Sequence, residues 1–127
     1  MSDRRLLVVD DVVELGEAVR TIGGNLGYDV RHSTNGKDFK QAMDDFNPTT
    51  VMIDIVLPDI DGFQLVKWLR ERGCGAKILV SAMNNLNYAK LARSLGKGRG
   101  LDISALPKPY QDDELYEALD YGVGTSP

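Results

Sequence analysis

TVMIDIVLPDIDG, residues 50–62, carries an acid where a buried strand should carry none. Val51, Met52 and Ile53 form a short apolar run, and Pro58 and Gly62 break the segment beyond Asp54. Such runs, bounded by turn signals, read as strands covered on both faces. An ionised carboxylate has no place inside one unless a cation or a metal compensates it. Asp54 therefore belongs at the C-terminal end of the strand, where open α/β sheets keep their ligand crevice.

The flanking chain alternates in the same manner. Residues 6–9 (LLVV) are a first apolar run, ended by Asp10 and Asp11. Val12, Leu15, Val19, Ile22 and Leu26 come next at helical spacing; Gly23 and Gly24 weaken that helix near its end, and Gly27 stops it. Residues 28–33 read as a second strand and Asn35-Gly36 as a turn. Phe39, Ala42, Met43 and Phe46 then form one face of a second helix, ended by Pro48. After the central strand, Phe63, Leu65, Val66 and Leu69 mark a third helix, and residues 77–81 (KILVS) a fourth strand. Asn84 or Asn85 caps a fourth helix using Leu86, Ala89, Leu91, Ala92 and Leu95. A basic loop, 96–100 (GKGRG), leads to a fifth strand over 101–106, which ends at Pro107-Lys108-Pro109. Asp112, Asp113 and Glu114 suit the first turn of a fifth helix, with Leu115, Ala118 and Leu119 facing inward. Five strands alternating with five helices imply an α/β fold, a flavodoxin-like (βα)5 three-layer sandwich. Its parallel sheet has the order 2-1-3-4-5, joined by right-handed crossovers.

Composition sets bounds. With 127 residues the chain is long enough for one domain with a substantial core, and 43% hydrophobic and 27% charged residues are ordinary for a soluble globular protein. A net charge of −4 weighs against nucleic-acid binding by this domain. The single cysteine, Cys74, excludes an internal disulfide and a multi-cysteine metal site; it fits a reducing, cytoplasmic location. The N-terminus turns acidic after four apolar residues, so it reads as neither a signal peptide nor a membrane span. Residues 1–122 are expected to form the domain, and 123–127 a tail or the start of a linker to an output domain.

In the order 2-1-3-4-5 the crevice opens between the ends of strands one and three, so Asp10 and Asp11 meet Asp54. Three carboxylates within roughly 5 Å repel by about 3 kcal/mol per pair at an effective dielectric near 20. A hard cation relieves this, and a few carboxylates with open positions suit Mg²⁺. Asp54 is then a candidate nucleophile that becomes an aspartyl phosphate. Ser81 can donate a hydroxyl hydrogen bond to the phosphoryl group, and Lys108 can supply a point charge. Lys108-Pro109 is a candidate cis peptide.

The motifs VVDD at 8–11, D-x-x-x-P-x-x-D-G at 54–62, the strand-end Ser81 and Lys-Pro at 108–109 occur in fixed order. With them the chain resembles a CheY-like response-regulator receiver domain of bacterial two-component signalling, over essentially its whole length. The resemblance implies a phosphoryl group accepted on Asp54 from a sensor histidine kinase or a histidine phosphotransfer protein, with Mg²⁺ as cofactor. Such a domain catalyses its own phosphorylation and slow dephosphorylation and is not otherwise an enzyme. The resemblance also implies Asp11 as a direct metal ligand, Asp10 acting largely through water, and a ligand from the backbone carbonyl of Val56. Ser81 and Lys108 would contact the phosphoryl group. An output domain or protein partner would read the face made by the fourth helix, fifth strand and fifth helix. No direct nucleic-acid or membrane contact is implied, and homodimerisation stays open. Two departures stand out. Ala105 occupies the place where receivers often carry an aromatic switch residue, so the usual account of a turning ring does not carry over. The segment RSLGKGRGLDIS (93–104) is longer and more basic than is typical, and resembles receivers attached to EAL-type cyclic-di-GMP phosphodiesterases, a domain that would lie outside this chain.

Other residues have plainer readings. Asp59 and Asp61 suit loop or cap roles, His32 a surface strand position, Cys74 a small loop residue, and Trp68 and the five tyrosines packing. Lys90, Arg93, Lys97 and Arg99 form a solvated helix face, with partner docking left open. Val56 and Met83 flank the site and offer no base for an attacking water, so a long-lived phosphoryl group is expected. Three other functions compete. A haloacid-dehalogenase-like phosphatase wants a second acid two residues after the nucleophile, where Val56 stands. A flavodoxin-like cofactor binder wants a glycine- and hydroxyl-rich loop after strand one, where two carboxylates stand. The alternative closest to the receiver reading is a protein-docking module of the same fold that is never phosphorylated.

Overall fold

Period-two alternation in the strands sorts the core into two halves. The computed structural model describes residues 4–83 and 102–120. Within them lie β1 (Arg5–Val9), α1 (Val13–Asn25), β2 (Asp29–Ser33), α2 (Gly36–Phe46), β3 (Thr50–Asp54), α3 (Gly62–Glu71), β4 (Lys77–Met83), β5 (Ile103–Lys108) and α4 (Asp112–Asp120). The fourth helix expected from Leu86 to Leu95, the basic loop at 96–100 and the tail at 123–127 lie outside the described residues. The helix counted fifth in the sequence is α4 here.

The strands pair in parallel, in the order β2-β1-β3-β4-β5. Because successive strand residues point to opposite faces, Leu7, Val9, Val51, Ile53, Ile78 and Val80 pack against Phe39 of α2 and Leu65 and Leu69 of α3. Leu6, Val8, Met52, Leu79 and Leu106 pack on the other side with Val19 and Ile22 of α1 and Leu115 and Leu119 of α4. The Tyr28 hydroxyl donates to the Leu119 carbonyl at 2.7 Å, tying the turn after α1 to the end of α4. Trp68 completes the α2/α3 side edge-on to Phe39, with the Arg72 guanidinium 4.4 Å from its ring centre.

Several boundaries differ from the sequence reading. Helix α1 does not: as read, it runs through Gly23 and Gly24, to Asn25, and stops at Gly27, at φ 88°. Asn35 is the N-cap of α2, accepting from the Asp38 amide at 2.9 Å, instead of a free turn residue. Strand β4 continues two residues to Met83, and β5 runs through Pro107 to Lys108. A proline fits there because β5 is an edge strand with β4 as its one neighbour among the described residues, so the missing N–H breaks no second ladder. Among the described residues, no helix is long and apolar enough to cross a membrane.

Candidate functional site

Four polar side chains continue one side of the sheet toward the C-terminal ends of its strands, Asp10 just past β1 and Asp54, Ser81 and Lys108 within β3, β4 and β5. Asp10 lies two residues beyond Val8, Asp54 two beyond Met52, Ser81 two beyond Leu79, and Lys108 two beyond Leu106. These four apolar residues all belong to the α1/α4 half of the core. The strand period therefore carries both acids, the hydroxyl and the ammonium to the same side. All four are buried, at 3% exposure for Asp10, 6% for Asp54, 1% for Ser81 and 8% for Lys108. Asp54 and Ser81 are paired in register across β3 and β4.

Lys108 Nζ donates to Asp10 Oδ2 at 2.8 Å and lies 3.4 Å from Asp54 Oδ2. The Lys108-Pro109 peptide is cis. Asp10 Oδ1 accepts from the Val12 amide at 2.9 Å, so this acid also closes the turn into α1. Asp54 Oδ1 accepts from the Val56 amide at 3.1 Å. One carboxylate oxygen from each of Asp10, Asp11 and Asp54 lies within 4.8 Å of the others, and Asp11 is the exposed member. Three acids against one ammonium leave a formal excess of two negative charges. Hard oxygen donors with an open, solvent-facing side fit a divalent cation such as Mg²⁺, which keeps part of its water shell.

Burial raises the Asp54 carboxyl above its ordinary value of 3.8; Lys108 opposes the shift, the Asp10 charge adds to it, and the Val56 amide and the Lys108 hydrogen bond oppose it. A carboxyl with a raised folded-state value contributes stability below its unfolded value and loses it as pH rises through the folded one. Asp54→Asn is therefore expected to stabilise the metal-free protein at pH 7 by on the order of 1 kcal/mol, about 4 °C in Tm. The gain should fade as pH falls toward 4. Thermal unfolding in EDTA across that range checks this, and a variant that tracks wild type at every pH would refute it.

Among the described residues, two hydroxyls, Ser81 Oγ and Tyr110 Oη, are buried without a hydrogen-bond partner. An unmet buried hydroxyl costs about 1–3 kcal/mol, so each marks a place where a further acceptor fits. Ser81 stands beside Asp54. Burial, seconded by the charges of Asp10 and Asp54, pushes the Tyr110 hydroxyl well above the ordinary phenol value. Sequence assigns Tyr110 to packing alone, and its place two residues after Lys108 is the signal that could have drawn it to the crevice.

The loop after Asp54 is held at both ends. The Ile55 amide donates to the Ser81 carbonyl at 2.9 Å, and the Gly62 amide to the Ile55 carbonyl at 2.7 Å. Asp61 caps α3 by accepting from the Phe63 amide at 2.8 Å. Asp59 accepts from the Gly36 and Lys37 amides at 2.8 and 3.0 Å, capping α2 from a distant loop, and the Gly36 bond holds its carboxyl below the usual value. The cap readings of Asp59 and Asp61 hold. Val56 presents an exposed side chain, at 65%. Ala105, half-buried, pairs with Val80 in register. Cys74 is half-buried in its loop, where its sulfur accepts from the Ala76 amide at 3.4 Å.

The reading of His32 as a surface residue needs correction. Its ring is half-buried, with Nε2 2.8 Å from the Asp10 carbonyl oxygen, and it lies against Gly16 of α1. The overlooked signal is Gly16 itself, a mid-helix glycine that costs roughly 1 kcal/mol relative to alanine unless something needs the space.

The chain matches the response regulator receiver domain family over residues 6–120. It is 33% identical over 117 residues to the transcriptional regulatory protein GltR of Pseudomonas aeruginosa, covering 90% of this chain and 46% of that protein. It is 31% identical over 111 residues to the CpxR homolog of Haemophilus influenzae, covering 87% and 46%. The chain thus spans about half the length of these curated relatives. Among solved structures it is similar to a CheY-like receiver domain protein from Methanospirillum hungatei, with a TM-score of 0.79 at 21% identity over 94% of this chain and 92% of that one. That likeness speaks to the fold, and the family match speaks to descent. Together they account for the sheet order: the chain belongs to the response regulator receiver domain family.

Proposed function

We propose that Asp54 accepts a phosphoryl group from a histidine kinase or histidine phosphotransfer protein in a Mg²⁺-dependent reaction, and that the added charge switches an output partner or domain. The observation that carries this reading is the Ser81 hydroxyl, buried, without a hydrogen-bond partner among the described residues and in register beside Asp54. With Oδ1 tied to the Val56 amide, Asp54 Oδ2, which faces the Lys108 ammonium at 3.4 Å, is the oxygen that attacks phosphorus; the P–O bond forms as the P–N bond to the donor imidazole breaks. Ser81 then donates to a phosphoryl oxygen, and Lys108 redirects its ammonium from Asp54 to the same group. Asp10, Asp11 and Asp54, with the Val56 carbonyl, would hold Mg²⁺, which when bound neutralises charge on the incoming phosphoryl oxygens. Both oxygens of Asp10 already have protein partners, which supports a direct bond from Asp11 and a water-mediated one from Asp10.

Phosphorylation acts only through contacts that differ between the two states. The output surface in this reading is β5 with α4 and the helix expected from the sequence over residues 86–95, reached without an aromatic ring at position 105. An EAL-type phosphodiesterase domain and a transcriptional regulator domain are the two kinds of output that resemblance puts forward, with a cytoplasmic location and no membrane or nucleic-acid contact by this domain. Val56 provides no base for an attacking water, so we assign a long phosphoryl lifetime.

Intact mass after incubation with acetyl phosphate tests the reading. A Mg²⁺-dependent gain of one phosphoryl group, absent in Asp54→Ala and persisting for minutes, is expected. Complete hydrolysis within seconds would overturn the slow-hydrolysis assignment. No gain in folded wild type, with acetyl phosphate or with a histidine-phosphorylated donor, would favour an unphosphorylated docking module.

A further inference from the structure

We propose that His32 is a positioning residue for the metal-binding acids: by holding the Asp10 carbonyl it fixes the peptide that joins Asp10 to Asp11. A carbonyl oxygen only accepts, so His32 Nε2 carries the proton in this 2.8 Å bond. The adjoining residue of β2, Ser33, accepts from the Asp10 amide at 3.1 Å. Neighbouring residues of β2 thus grip the Asp10 backbone at its N–H and its C=O. The Val12 amide, bonded to Asp10 Oδ1 at 2.9 Å, closes the turn from the far side. Asp11, exposed at the centre of that turn, takes its direction from the peptide that His32 holds.

Helix α1 is built around this ring. A Cβ placed on Gly16 would lie 2.1 Å from His32 Cε1, 2.2 Å from Nδ1 and 2.5 Å from Nε2. No real contact is that short, so any side chain at position 16 must displace the imidazole from the Asp10 carbonyl. A histidine that merely shields α1 would need neither the hydrogen bond nor the vacancy beneath it. Three elements contribute one part each: the carbonyl from the end of β1, the donor from β2, and the gap from α1.

The role rests on the metal reading given above, and its test separates the two. Mn²⁺, a hard divalent ion whose free form is read by electron paramagnetic resonance, is titrated into the intact chain. His32→Phe keeps a ring but loses the donor, and should weaken Mn²⁺ binding about fivefold, the factor one neutral hydrogen bond is ordinarily worth. His32→Gln restores a donor and should stay within about twofold of wild type. Gly16→Ala should weaken binding about as much as His32→Phe, and should add no further loss in the His32→Ala background. Thermal unfolding of the same four proteins of the 16/32 cycle should change sign: Gly16→Ala lowers Tm when His32 is present and raises it when His32 has been replaced, since alanine is the better helix former once the ring is gone. Wild-type affinity in His32→Phe, or equal effects of Gly16→Ala in both backgrounds, would overturn the proposal while leaving the metal site standing. A wild type that binds no Mn²⁺ would overturn the metal reading and this role with it.

Discussion

Lys108→Met is expected to lower the stability of the metal-free protein by about 3 kcal/mol at pH 7, roughly 10 °C in Tm. The Lys108 ammonium lies 2.8 Å from one buried acid and 3.4 Å from another. Methionine preserves the apolar stem and removes the charge, leaving Asp10 and Asp54 with backbone amides as partners. Removing one member of a buried ion pair costs more than the pair itself contributes, because the surviving charge stays desolvated. Asp54 is already raised by burial, and without Lys108 it rises further, so the penalty should be full at neutral pH and fade as pH falls toward 4. A divalent cation should also rescue the variant more than wild type, since binding to the folded state alone stabilises by mass action. Urea unfolding between pH 4 and 8, in EDTA and in excess Mg²⁺, measures both effects. A loss below 1 kcal/mol at pH 7, or one independent of pH, would show that the crevice is wetter than its burial implies.

Gly62→Ala should be nearly as severe and should act on the chemistry as well. A Cβ there would lie 2.5 Å from Ile55 Cα and 2.7 Å from the Asp54 carbonyl oxygen. Both are backbone atoms, so no rotamer change relieves the contact, and α3 must move away from the phosphoacceptor loop. Overpacking of this kind costs about 3 kcal/mol. The displaced backbone also carries Asp54, and a shift of about 1 Å in a reacting group can slow a reaction by around 100-fold. Labelling by acetyl phosphate should therefore slow at least tenfold at temperatures where the variant remains folded. Gly24→Ala, where a Cβ would meet nothing within 4 Å, is the matched control and should be neutral or slightly stabilising. Wild-type labelling by Gly62→Ala would mean that the glycine of the D-x-x-x-P-x-x-D-G motif serves the turn and not the acid.

The sheet order was legible in the alternation of apolar runs with helical stripes, and the candidate site for a separate reason. Asp10, Asp54 and Lys108 are chemically out of place at the ends of apolar runs, and a period of two fixes the side of the sheet to which each points. Ser81, an ordinary strand-end hydroxyl when taken alone, became informative only beside Asp54. The features that escaped depended on pairs that no local pattern encodes. The bond from His32 to the Asp10 carbonyl joins residues 22 positions apart across two elements, and the Asp59 cap of α2 joins residues 23 apart. Neither partner is marked by hydrophobic spacing. The passage of β5 through Pro107 escaped because a proline reads locally as a stop, although the expected strand order already put β5 at the sheet edge, where a proline is tolerated. Asn35 looked like a turn because the same residue types serve turns and N-caps, and the backbone decides between them.

The alignment of Asp10, Asp54, Ser81 and Lys108 over Val8, Met52, Leu79 and Leu106 has a consequence for how the domain divides its labour. The sheet is a partition with two differently burdened rooms. A substitution among Phe39, Leu65 and Leu69 bears on the strength of the wall, whereas one among the four apolar residues beneath the crevice tilts the floor on which the chemistry stands. Away from Gly62, whose Cβ would press on the Asp54 backbone, sequence drift on the α2/α3 side is therefore expected to be felt as stability, and on the α1/α4 side the same methyl group lost or gained is also a message.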